Sequence, residues 1–128
     1  MGAYSVDKRP VYATVAATTG DDLTLRVGLF DLTSGAVTGT GATIVATAGG
    51  LSFSVTYATT GIFVCVLTDA QTVTLGDGQH DLLFRLTPAG GDTQTYVAGK
   101  LVLTSSTTSG GSVGYQGGIV GNVMVVVY

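Results

Sequence analysis

The sequence predicts an all-β protein: an antiparallel sandwich of about seven short strands, with an extended N-terminal arm and an apolar C-terminal strand. Two observations carry that expectation. Runs rich in Val, Leu, Ile, Phe and Thr recur along the chain, each closed by Gly, Asp, Ser or Pro. No segment places apolar residues at helical spacing over three turns, and all 8 acidic residues are Asp. Asp and Gly belong to turns, whereas Glu and Lys favour solvated helices.

Taken in order, residues 1–10 read as the arm, and strands are expected at 11–18, 22–30, 42–48, 51–58, 61–67, 79–86 and 94–103. The alternation is clear at Leu23, Leu25, Val27 and Leu29, which face away from Thr24, Arg26 and Gly28. Leu51, Phe53, Val55 and Tyr57 alternate in the same way with Ser52, Ser54 and Thr56. Between 47 and 51, Gly49-Gly50 suits a tight hairpin turn with positive backbone angles. Pro88 and the glycines of TPAGGDT close another hairpin. Val73 to Leu75 suits a turn or a single helical twist. Short strands with turn signals about every ten residues point to a sandwich of immunoglobulin-like type over 11–104.

After Leu103 the texture changes. Residues 105–118 form a polar Gly/Ser/Thr linker on composition, and 119–128, IVGNVMVVVY, is the most apolar decapeptide of the chain. As a single strand it sets Val123, Val125 and Val127 against Met124, Val126 and Tyr128, so both of its faces need cover. Left bare it invites aggregation. It can complete the chain's own sheet or insert into a neighbouring subunit; the long spacer and the seven earlier strands favour the neighbour.

At 128 residues the chain suits one domain. Only 10% of residues are charged, against roughly 25% in ordinary globular domains. Something else must therefore cover much of the surface: Thr, Ser and Gly do so here, and the shortage of charge is a first hint of contacts with other chains. A net charge of −3 with no basic cluster beyond Lys8-Arg9 leaves no means of neutralising phosphates, which argues against nucleic acid. The N-terminus lacks the apolar core of a secretory signal, and no apolar run approaches the roughly 20 residues of a membrane helix. The expectation is a soluble protein made in the cytosol.

Residues that could carry chemistry read as structural. His80 is followed directly by Asp81, which points to the opposite strand face and cannot orient the ring as a triad requires. Asp69, Asp77 and Asp81 do not follow a calcium loop, and one His with one Cys falls short of a zinc site. Cys65, in the apolar run IFVCVL, reads as a buried small hydrophobe. Gly99-Lys100 lacks the residues of a phosphate loop. No catalytic, metal or cofactor site is expected, and a glycan-binding platform lacks the clustered aromatics it would need. The candidate residues are assembly contacts. They are Tyr4 and Arg9 in the arm, Tyr115 in the linker, and Ile119, Val120, Val123, Met124, Val125, Val126, Val127 and Tyr128 in the terminal strand. Tyrosines suit this role because they supply large, rigid contact area.

The GDD entry at 20–22, GAT at 41–43, LTDAQT at 67–72 and GQHD at 78–81 follow the habit of a known family. Residues 20–107 resemble the small immunoglobulin-like β-modules of tailed-bacteriophage virion proteins, such as the amino-terminal module of baseplate upper proteins. The resemblance implies a non-enzymatic virion structural protein. Ending soon after the module, with an apolar tail in place of a long stem, favours a capsid decoration or cement protein over a baseplate component. Its expected partners are other virion proteins, the major capsid protein first among them, and further copies of itself. The alternative is a tail, baseplate or fibre-attachment component built on the same module.

Overall fold

Alternating apolar and polar side chains favour half-buried strands, and strands dominate the structure. The computed structural model describes residues 9–33, 35–37, 41–59, 61–105, 116–121 and 123–128. In chain order the elements are β1 (Thr14–Thr18), β2 (Leu23–Asp31), β3 (Gly35–Ala36), β4 (Thr43–Ala48), β5 (Leu51–Ser52), β6 (Ser54–Thr59), β7 (Ile62–Leu67), α1 (Asp69–Leu75), β8 (Gly78–Thr87), β9 (Gln94–Thr104), β10 (Gln116–Val120) and β11 (Val123–Val127). They form a β-sandwich of two sheets. The first runs β1-β9-β8-β4-β5 and the second β10-β11-β2-β7-β6, with β3 paired to the end of β2. Pairing between neighbouring strands is antiparallel except for β1, which lies parallel to β9.

The core lies between the sheets. Leu23, Leu25, Val27 and Leu29 are all buried, as their alternation requires. Phe63 has no exposed surface; its ring centre lies 5.0 Å from Tyr57 in its own sheet and 5.8 Å from Phe84 in the other, edge-on at 60°. That edge-to-face contact joins the two layers at a geometry aromatic rings favour. Gly99 lets β1 close on β9, because a Cβ there would lie 1.8 Å from the Ala13 carbonyl oxygen.

Three elements depart from the sequence expectation. The strand expected over 51–58 breaks at Phe53, whose N–H donates to the Ala46 carbonyl at 2.8 Å before the chain crosses from the first sheet to the second. The alternation runs unbroken through this crossing because Phe53 stays buried on either side of it. The single helical twist at 73–75 is the end of a longer helix, α1, that starts at a reciprocal cap between Thr68 and Gln71. The single strand expected over 119–128 is a hairpin: Gly121, at φ 62°, turns β10 back as β11. β11 then pairs with β2 of the same chain, Val125 opposite Leu29. Residues 1–8 and 106–115, in the expected arm and linker, lie outside the described residues.

The stretch between β7 and β8 is a set of latches. Buried Thr72 places its Oγ1 2.9 Å from the Asp69 carbonyl and 3.1 Å from that of Asp21, and it accepts the Gly20 N–H at 3.1 Å. The Asp77 carboxylate accepts hydrogen bonds from Thr19 at 2.6 Å and Ser105 at 2.8 Å, tying the β1–β2 turn to the end of β9. These bonds, that from Thr19 foremost, hold its carboxyl below the usual carboxylate range. Asp81 is held low by its hydrogen bond and charge pairing with Lys100.

Both carboxyls have folded-state pKa values below their unfolded ones, so their contribution is present above the ordinary carboxylate pKa and lost as pH falls through the folded values. Melting temperature should therefore drop as pH is lowered below about 4, and by less in Asp77→Asn than in the unaltered protein. An equal drop in both, followed by circular dichroism, contradicts the latch.

Candidate assembly surface

The outer face of the second sheet follows from strand registers. In the inward set of the C-terminal hairpin, Val120, Val123, Val125 and Val127 are all buried within the chain itself. Their outward neighbours lie across β10, β11 and β2 in register. Ile119 is opposite Met124, and Met124 is opposite Phe30. These three residues are 53%, 41% and 48% exposed, so one cross-strand row carries three large apolar side chains to solvent. The next row sets Gly117 opposite Val126, Val126 opposite Gly28, and Gly28 opposite Ile62.

Gly28 gives this face its relief. Its φ is not positive, and an added Cβ would meet only Val126, at ordinary contact distances of 3.8 and 4.0 Å. Neither backbone nor packing demands glycine there, and its effect is to leave a trough. Phe30, Ile62, Met124, Val126 and Tyr128 line the groove of about 330 Å³ that results. Of the strands in this sheet only β2 carries ionisable charges, at Arg26 and Asp31. The outer face of the first sheet contrasts with it. Tyr12 there is 66% exposed beside the Asp81–Lys100 ion pair, and the depression between them is also lined by Thr47 and Leu83.

The expected contact residues therefore divide. Ile119 and Met124 are exposed, and Val126 and Tyr128 are half-buried on the same face. Val120, Val123, Val125 and Val127 belong to the core, so the contacts they make are internal. Arg9 is exposed and lines a separate groove beside Gly117 and Ile119. Tyr4 and Tyr115 lie outside the described residues. Sequence reasoning missed Phe30, Gly28 and Ile62, which join the surface only through the pairing of β11 with β2. Gly121-Asn122 between two apolar runs is a two-residue hairpin signature that announces β10–β11, whereas no local signal marks the pairing of β11 with β2.

Gln116 closes the side of the sandwich beneath this face. Its Oε1 accepts the Thr14 N–H at 2.8 Å and its Nε2 donates to the Thr14 carbonyl at 2.6 Å. One side-chain amide thus fills the place of a neighbouring strand's backbone on the outer edge of β1.

His80, Cys65, Asp22 and Asp69 are engaged in structure. His80 is half-buried and its Nε2 lies 2.8 Å from the Gly76 carbonyl oxygen, joining the end of α1 to β8. Burial pushes the Cys65 thiol up to about 12, which keeps it protonated at neutral pH. Asp22 accepts the Asp69 N–H at 2.7 Å, and Asp69 accepts that of Ala70 at 2.8 Å. Among the described residues, no three His, Cys or Asp side chains gather as a metal-binding group, and no helix is long and apolar enough to cross a membrane.

Replacing Gln116 by Ala should cost about 1 kcal/mol and speed exchange of the Thr14 amide, as read by hydrogen exchange. Unchanged exchange at Thr14 would remove the clasp from this description.

Comparison with known proteins returns no matching family model, no matching curated protein and no matching solved structure.

Proposed function

We propose that this chain is a non-enzymatic structural protein of a tailed-phage particle, a capsid decoration or cement protein that binds neighbouring particle subunits through the outer face of its second sheet. The observation that carries the binding part is the Ile119–Met124–Phe30 row, with the Gly28 trough beside it. Large exposed apolar patches on otherwise polar surfaces mark sites of protein contact. A nearly uncharged face suits an apolar protein surface, because docking leaves few ions to desolvate.

The immunoglobulin-like reading belongs to the same proposal. It is supported by the order β1-β9-β8-β4-β5 facing β2-β7-β6, which follows the arrangement of such sandwiches with an additional strand on one sheet. The hairpin β10–β11 then fills the place beside β2 where a first strand of that fold would pair. The virion role rests on the resemblance over residues 20–107, and the half-exposed row gives that role a physical means.

The test is binding of the purified chain to phage heads assembled without it. Saturable binding is expected, with loss of at least about tenfold in affinity for Met124→Asp at an unchanged melting temperature. Equal binding of Met124→Asp contradicts the surface. Binding to purified tails and not to heads overturns the capsid role in favour of a tail component.

A further inference from the structure

The two sheets have four edges, and they are not equally protected. Unpaired backbone groups on an exposed edge are a template for another strand, and soluble proteins blunt them with charge, proline, short strands or cover. On β1, Thr14 is held by the Gln116 amide and the Thr18 carbonyl by the Asp21 N–H, so alternation leaves only Ala16 between these two clasps with both backbone groups outward. On β4, Ala46 is taken by Phe53 and Ala48 pairs with Leu51, so alternation leaves only Ile44 facing outward. Beside β10, the 9–12 segment brings Arg9 and Pro10 to the groove along Gly117 and Ile119.

The remaining edge is β6. Its outward groups follow from the ladder. Arg26 exchanges both backbone hydrogen bonds with Tyr128 and so turns its backbone away from β7. Arg26 is opposite Val64, and Val64 is opposite Thr56. The alternation of an antiparallel ladder therefore bonds Thr56 to β7 and leaves the N–H and C=O of Val55 and Tyr57 pointing outward. Among the described residues nothing covers them. β6 contains no proline, and no charged residue occurs between Asp31 and Asp69. The irregularity in its ladder falls after Tyr57, beyond the regular part of the edge.

We propose that β6 pairs antiparallel with β6 of a second copy about a two-fold axis midway between the two Thr56 residues, extending the second sheet across both molecules. The occupant is another copy because symmetry sets identical residues against each other. Any charge on the strand would meet its own image, and this strand has none. With Thr56 opposite Thr56, Val55 of each copy lies opposite Tyr57 of the other, and each such pair exchanges two backbone hydrogen bonds. Thr–Thr and β-branched–aromatic pairs are favourable across strands. The two Thr56 form a pair without mutual backbone bonds, whose Cα atoms approach to about 4.5 Å. This pairing stands independently of any role in a virion.

The geometry gives a direct test. Two cysteines replacing Thr56 would sit within disulfide reach, while Cys65 is buried and stays out of the chemistry. Under mild oxidation Thr56→Cys should form covalent dimers roughly tenfold faster than Thr24→Cys, an exposed control on the same face of the central strand β2. In the unaltered protein, exchange of the Val55 and Tyr57 amides should slow as concentration rises, and Thr56→Lys should abolish that dependence. Equal cross-linking of the two cysteine variants, or exchange at Val55 and Tyr57 independent of concentration, overturns the proposal.

Discussion

The pairing of β11 with β2 is the interaction on which the rest of this molecule depends. It sets Val125 opposite Leu29 and brings the C-terminal hairpin onto the second sheet. Through it Val120, Val123, Val125 and Val127 are buried. A fully buried valine contributes roughly 1.5–3 kcal/mol. Four of them are comparable with the whole net stability of a domain, about 5–15 kcal/mol. The same register places Met124 beside Phe30 and Val126 beside Gly28, so one set of backbone hydrogen bonds closes the core and assembles the outer apolar face.

A strand obeys period two, and this one uses both of its faces. Its inward valines need the partner sheet, while its outward residues remain partly exposed. Met124 and Ile119 point away from the core, so polar replacements there would leave it intact. Charge is distributed to match: Asp81, Lys100 and Arg85 lie on strands of the first sheet, whereas Arg26 and Asp31 are the only ionisable charges on strands of the second.

Much of the sandwich was legible in the sequence because its strands announce themselves locally. Leu23, Leu25, Val27 and Leu29 alternate, and Gly49-Gly50, at φ 56° and 89°, makes the hairpin turn its composition suggests. Less legible was any feature defined by a partner distant in sequence. The break at Phe53 is invisible to alternation because the residue is buried on either side of the crossing. The helix over Asp69–Leu75 is announced by Thr68 and Gln71, a signal carried by two side chains rather than by periodicity. The candidate surface was half legible: the apolar tail was evident, but Phe30 and Gly28 become its neighbours only through a pairing that spans nearly a hundred residues of chain. His80, conspicuous as the only histidine, serves to join the end of α1 to β8.

The most direct test of this account is the equilibrium unfolding of a chain ending at Ser105 beside the full-length protein, followed by near-ultraviolet circular dichroism. The account requires that the shortened chain lose its cooperative transition or most of its stability, because β2 would lose one of its two flanking strands and the core its four valines. A shortened chain that unfolds cooperatively at the same denaturant midpoint would show that the hairpin is dispensable to the core and would contradict the central claim.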